Sequence, residues 1–335
     1  MVHELECPVC DGIASLQIED GNHTFRKEKF DIHSYFYKCA KCGEEFTTTE
    51  LDHINLAQVY NQYREAHNIP SAEQFKLIRE RYDLSAARMS LILGIGQNQY
   101  SLYESGDIPN ESNSQLISLI MDPEIFKKHL LKRKSILQPK DFDKIVEHLD
   151  SVILEEQENA NCYESFFFNP FSSPSDLNGF QSTSLAKFAN MVIFFLQDAF
   201  LVTRLNKYLF YSDFLNYKNT GFSISGYNYA AIPLGPVPQD YKTVYDLLEE
   251  HNYILTEPYE TEFDFTEKFV LAKEFDSSLF SQIELESLKT VRQKFATLKT
   301  KKIIDMSHEE LGWLENKDRK DLISYQKYAS LLKHF

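Results

Sequence analysis

Long apolar runs are missing from this 335-residue chain. The best candidate, Phe188 to Val202, is broken by Asn190, Gln197 and Asp198. It falls short of the roughly 18 apolar residues that a bilayer-spanning helix needs, so it reads as a buried helix and no membrane is expected as a partner. Basic charge is in deficit too: 35 Lys and Arg against 50 Asp and Glu leave a net charge of −15. That excludes a generic, strongly basic nucleic-acid binder, and any DNA contact must come from a local surface. The opening residues, MVHELECPVC, lack a basic segment followed by an apolar one, so no secretory signal is expected. Only five cysteines occur, too few for a disulfide scaffold in a chain this long, which favours reduced thiols or a bound metal and a cytoplasmic location. Gly94-Ile95-Gly96 lacks the third glycine and the preceding strand of a dinucleotide loop. No H-E-x-x-H and no nucleophile–His–Asp spacing is visible, so the chain is not expected to be an enzyme.

What is present is aromatic and helical. Hydrophobic residues make up 43% and charged residues 25%, values of a globular protein, and 26 Phe and 19 Tyr supply large surfaces to bury. The length allows two or three domains. Periodicity and punctuation predict a mainly α fold with small β elements. Residues 1–50 form a cysteine-bearing ribbon, and 51–160 a helix-turn-helix bundle with following helices. A Ser/Pro-rich linker over 161–184 leads to a mostly helical domain with a small sheet over 185–335.

Cys7-Pro-Val-Cys10 and Cys39-Ala-Lys-Cys42 are two C-x2-C pairs separated by 28 residues. Each pair is a tight turn that aims two thiolates at one point, and together they describe a closed tetrahedral site suited to one structural Zn2+ per chain. A redox pair or four free thiols are the alternatives. Gly12 and Gly43 are expected to let the backbone curl around the sulfurs. Short antiparallel strands are expected at 16–18 and 35–37.

Further along, Glu73 to Tyr82, Ala86 to Leu93 and Gln97 to Glu104 read as three short helices, with Ser85 capping the second and Gly94 to Gly96 turning into the third. Tyr100 and Tyr103 should pack inward, leaving Gln97, Asn98, Gln99 and Ser101 to face out. Asn and Gln can pair with adenine in the major groove. Lys76, Arg79, Arg81 and Arg88 could reach phosphates. The alternative is a plain helical bundle.

A four-cysteine ribbon followed by LILGIGQNQYSLYESG resembles the MqsA-type (YgiT-type) antitoxins, whose helix-turn-helix is of the Xre class. The resemblance covers about residues 5–130. It implies that Asn98 contacts bases, that Tyr100 is core, and that the protein dimerises on a palindromic operator. The family's usual Arg is Leu102 here, which implies a different operator.

In the second half, Arg204 to Tyr241 reads as an apolar helix, a turn, a short strand and a rigid Pro/Gly corner. Tyr208, Tyr211, Asp213 and Tyr229 could line a polar pocket or form a buried hydrogen-bonded network. Ser307 and Glu310 read as an N-cap and N3 pair opening a helix. The stretch RLNKYLFYSD, the later GPVP, and the tail SHEELGWLENKDRK resemble the Panacea (SocA-like) antitoxin domain over about 185–333. That resemblance implies a domain that neutralises a cognate protein toxin. Tyr211, Asp213, Tyr229, Leu234, Pro236 and Pro238 are the expected contacts, and a fragment beginning near Ser184 is expected to suffice. Together the readings describe a type II antitoxin that also represses its own operon. A proteolytic adaptor and a ligand-sensing transcriptional regulator are the alternatives.

Overall fold

The computed structural model describes residues 3–159, 163–260 and 265–335. The chain opens with an antiparallel sheet whose strands lie in chain order: β1 (Glu4–Glu6), β2 (Ile13–Phe25), β3 (Glu28–Cys39) and β4 (Glu45–Phe46). β2 and β3 pair without interruption from Ala14↔Cys39 to Phe25↔Glu28, a far longer hairpin than the expected strands. The sequence hides its length because the buried face switches between Ile32 and Tyr35, breaking the alternation. Arg26 and Lys27 form the turn with φ of 47° and 72°, the left-handed pair of a type I′ turn without its usual Asn-Gly. The Arg26 guanidinium lies over the rings of Phe25 and Tyr63, 5.2 and 5.4 Å from their centroids, which offsets part of that strain.

Helix α1 (Thr49–Ala66) closes the stretch of the β3 edge that β4 does not reach. Its side-chain amides act as a substitute strand. Asn55 Nδ2 donates to Tyr35 O and Asn55 Oδ1 accepts from Tyr35 N, each at 2.9 Å. Gln58 does the same for His33 at 2.9 and 3.0 Å, and Gln62 donates to Asp31 O at 2.8 Å. Spaced three and four apart, the three amides share one helix face. An edge that could otherwise template association is thereby satisfied.

Five short helices and a longer one follow: α2 (Ala72–Arg81), α3 (Ala86–Leu93), α4 (Gln99–Glu104), α5 (Glu111–Ile120), α6 (Pro123–Lys132) and α7 (Pro139–Asn159). Their starts are written in the sequence. Ser71 and Gln74 form a reciprocal capping box, Ser85 accepts from Arg88 N, and Asp122 precedes Pro123. Phe75, Ile78, Met89, Ile92, Tyr100 and Phe126 are buried among them.

The remaining elements are α8 (Leu185–Phe195), α9 (Val202–Thr220), β5 (Tyr229–Ile232), β6 (Gly235–Pro238), α10 (Tyr241–Glu250), β7 (Ile254–Glu260), β8 (Phe265–Leu271), α11 (Gln282–Phe295), α12 (Thr300–His308), α13 (Leu311–Leu314) and α14 (Tyr325–Tyr328). β5–β6 and β7–β8 are two-stranded antiparallel hairpins. The centre of this region is α9, buried along nearly its whole length.

Two compact units result, and they do not follow chain order. One comprises 1–63 together with 175–335; the other comprises 64–174. The segment expected as a linker is itself packed, with Phe168 and Phe180 both buried. Its serines and prolines mask two aromatic anchors.

Candidate metal centre and nucleic-acid interface

The two C-x2-C turns are built alike. Cys7 N donates to Gly12 O and Asp11 N to Cys7 O; correspondingly, Cys39 N donates to Glu44 O and Gly43 N to Cys39 O. The equivalent left-handed positions are therefore Asp11 (φ 54°) and Gly43 (φ 77°), so Gly12 does not take the role expected of it. Gly12 is needed for proximity instead, because a Cβ there would come within 2.9 Å of Lys41 Cβ. The turns bring all four sulfurs within 4.8 Å of one another. Cys7 Sγ lies 3.7 Å from Cys42 Sγ, and Cys10 Sγ lies 3.5 Å from Cys39 Sγ. Those gaps are too long for disulfides, which need about 2.05 Å. A tetrahedral centre with metal–sulfur bonds of about 2.3 Å spaces its sulfurs about 3.8 Å apart, close to both values. The donor set and its spacing thus fit a metal ion. The Cys42 and Lys41 backbone N–H groups, helped by neighbouring thiols, lower the Cys39 thiol to about 6.

The expected helix-turn-helix is assembled by α2, α3 and α4. Tyr100 is the keystone: its N–H donates to Ser90 Oγ at 3.0 Å and its hydroxyl to Phe75 O at 2.8 Å, tying α4 to α3 and α2. Tyr103 is buried beside it. Gly94 ends α3 in the left-handed region (φ 74°), and a Cβ there would strike the Arg133 guanidinium, which caps Ile92 O at 2.9 Å.

The third helix starts later than expected, at Gln99. Asn98 stands at its N-cap with φ 66°, a conformation from which its side chain makes no capping hydrogen bond. Gln97, Asn98, Ser101 and Leu102 are exposed, whereas Gln99 is half-buried and accepts from the Tyr103 hydroxyl at 3.3 Å. Among the basic candidates, Arg79 is drawn inward to Glu104 at 2.5 Å and to Leu84 O at 3.1 Å, and Arg81 donates to Met121 O at 3.0 Å. Lys76 and Arg88 remain at the surface, Arg88 paired with Asp141 at 3.0 Å.

The expected toxin contacts are mostly interior. Tyr211, Asp213 and Tyr229 are fully buried, and Pro236 and Pro238 are buried in β6. Only Leu234, at the β5–β6 turn, is exposed. Asp213 organises the core. Its Oδ1 accepts from Ile224 N and Ser225 N at 2.7 and 2.8 Å, and its Oδ2 accepts from Ser225 Oγ and Tyr229 OH at 2.6 and 2.7 Å. Burial pushes this carboxyl above its usual range, and the four donors oppose that shift. The Tyr211 hydroxyl donates to buried Glu310 at 2.9 Å. Tyr211, Asp213 and Tyr229, with buried Tyr208 accepting from Arg204 at 2.9 Å, follow the buried-network reading of the sequence, and Pro236 and Pro238 are part of the same interior. The cap expected at Ser307 is also absent: Ser307 lies buried in the last turn of α12, donating to Ile304 O, and Glu310 precedes α13.

Sequence reasoning missed the convergence of three separated motifs at Lys207. Its Nζ is buried and donates to Pro236 O at 2.9 Å. Gly235 passes so close that a Cβ there would lie 2.5 Å from Ser307 Oγ and 2.7 Å from Lys207 Cε. His308, beside it, stacks on Trp313 at 3.9 Å, and the Trp313 indole donates to Ile232 O at 2.7 Å. Burial lowers the Lys207 ammonium to about 7.

Comparison with known proteins matches both ends of the chain. Residues 5–129 match the family of the antitoxin component of bacterial toxin-antitoxin system, MqsA, and residues 205–314 match the antitoxin SocA-like, Panacea domain. The antitoxin MqsA of Escherichia coli (strain K12) is 30% identical over 132 residues, which is 37% of this chain and 98% of that protein. With the four-cysteine cluster in the expected place, the chain belongs to the MqsA antitoxin family and carries a SocA-like Panacea domain in its C-terminal region.

Proposed function

We propose that the protein is the antitoxin of a type II toxin–antitoxin pair: it binds and neutralises a cognate protein toxin and represses its own operon as a homodimer. The observation that carries this reading is the presence of two different antitoxin-family regions in one chain. The mode of action is binding, with no reaction catalysed, and the place of action is the cytoplasm. Zn2+ is the metal we assign to Cys7, Cys10, Cys39 and Cys42, because an all-sulfur tetrahedral set suits it and leaves no open position for a substrate.

Operator DNA is assigned to the start of α4. Gln97, Asn98 and Ser101 face solvent there, and an Asn side chain unused for capping is available to pair with an adenine edge. Gln99 contributes less, since its oxygen is occupied by Tyr103. Arg88 would exchange Asp141 for a phosphate. The toxin-contacting surface would include exposed Leu234 and exclude Tyr211, Asp213, Tyr229, Pro236 and Pro238, which are buried.

The test has two arms. Co-expression of the full chain with the product of the adjacent gene should restore growth; continued arrest would refute neutralisation. Binding to the protein's own promoter should weaken about 5-fold to 150-fold on Asn98→Ala, at one base pair of each half-site, matching about 1–3 kcal/mol for a bidentate contact. Unchanged affinity and base preference would remove α4 from the interface.

A further inference from the structure

The four cysteines stand far in sequence from the Panacea region, yet the ribbon and that region are parts of one compact unit. The join is made by named, buried groups. Tyr35 OH and Ser330 Oγ lie 2.6 Å apart in the interior. Asn61 Nδ2 donates to Gly221 O at 2.9 Å, and Gly221 is so close to α1 that a Cβ would meet Ala57 Cβ at 2.9 Å. Gln326 Nε2 donates to Asp31 O at 3.2 Å.

These contacts lead in both directions to something that matters. On one side, Tyr35, Tyr37 and Cys39 alternate on β3 and bury their side chains in the same small cluster, with Cys7, Leu51 and Ile54. That cluster is what the metal-binding turns close. On the other side, Ser330 follows α14, whose Tyr325 stacks on Phe214 at 4.2 Å and donates to Tyr227 O at 2.9 Å. Gln326 N is held by Asp176 at 2.7 Å. Residues 325–330 are thus wedged between the ribbon strand that ends in a metal ligand and the core built on Asp213.

From this we infer that the four-thiolate site controls the C-terminal antitoxin domain as well as the ribbon: holding the metal keeps β3 and α1 in the shape against which residues 325–332 are ordered, and losing it loosens that segment. A cysteine-rich ribbon too small for a core of its own folds only with its metal, so the docking face exists only in the loaded form. The inference rests on the metal reading above. It makes chelation a route to a weakened antitoxin, without any change in 64–174.

The experiment is hydrogen exchange followed by mass spectrometry on the full chain, with metal content measured in parallel. Removing the metal with a chelator should speed exchange at least tenfold in both the ribbon and residues 325–332, and leave residues 72–130 unchanged. Tyr35→Phe, which keeps the ring and all four cysteines, should retain full metal content and still speed exchange at 325–332 several-fold. If the ribbon opens on chelation while 325–332 stays protected, or if 72–130 opens equally, the coupling is refuted. If Tyr35→Phe leaves 325–332 unchanged, it is refuted independently of the metal. Protein purified without metal would overturn the metal reading, while the Tyr35→Phe arm would still report on the join.

Discussion

Replacing Lys207 by methionine isolates the electrostatic cost of a buried ammonium group that has no anionic partner among the described residues. Lys207 Nζ has Pro236 O as its hydrogen-bond acceptor, with Ser307 and His308 beside it. Burial lowers its pKa from 10.5 to about 7. The sign follows from linkage. Between those values the unfolded chain holds a proton that the folded chain does not, so stability rises with pH, and the penalty is complete below the folded value. One pKa unit corresponds to about 1.36 kcal/mol, so from pH 7 to about 9.5 the wild-type protein should gain about 3 kcal/mol relative to Lys207→Met. Urea unfolding of both proteins at three pH values measures this, and the subtraction cancels ionisation of the buried tyrosines. A constant difference between the two proteins across that range would show that Lys207 is not desolvated as described.

Three further outcomes are expected. Asp213→Ala strands two backbone N–H groups and the hydroxyls of Ser225 and Tyr229, so it should destabilise by about 3–5 kcal/mol in chemical denaturation, and a change under 1 kcal/mol would refute the network. Gly221→Ala meets both a left-handed backbone (φ 80°) and Ala57, so a loss of about 2–4 kcal/mol is expected by the same measurement. Residues 184–335 alone should be aggregation-prone and protect cells poorly, whereas 1–63 joined to 175–335 by a flexible linker should fold and protect; equal protection by the shorter fragment would restore the boundary expected at Ser184.

What was legible in the sequence is what local chemistry encodes. Four thiols in two C-x2-C turns, the cap at Ser85, the left-handed stop at Gly94 and the inward tyrosines of α4 all carry their own short-range signals. The amides of Asn55, Gln58 and Gln62 did not stand out, because a polar helix face looks the same whether it meets water or a strand edge. Tyr211, Asp213 and Tyr229 are expected at a binding surface from the Panacea resemblance, beside the alternative of a buried hydrogen-bonded network, and sequence chemistry alone does not choose between the two. Burial with complete hydrogen bonding leaves no mark in one sequence. The join of the ribbon to the C-terminal region was invisible for a different reason: Tyr35 and Ser330 are 295 residues apart, and no periodicity spans that distance.

The non-consecutive unit also sets an order of events during synthesis. The ribbon and most of α1 leave the ribosome before residues 175–335, and the surface that Ser330, Gln326 and Gly221 cover must wait until those residues have been made. The 64–174 unit is compact in its own right and is complete before residue 175 is added. Until Gln326 and Ser330 have been made, the N-terminal segment is a partner without its complement, and the long-range closure that follows is slow compared with local helix formation. A product that stops short of Gln326 would thus lack the partners of Asp31 and Tyr35 and be less stable than one that reaches Ser330.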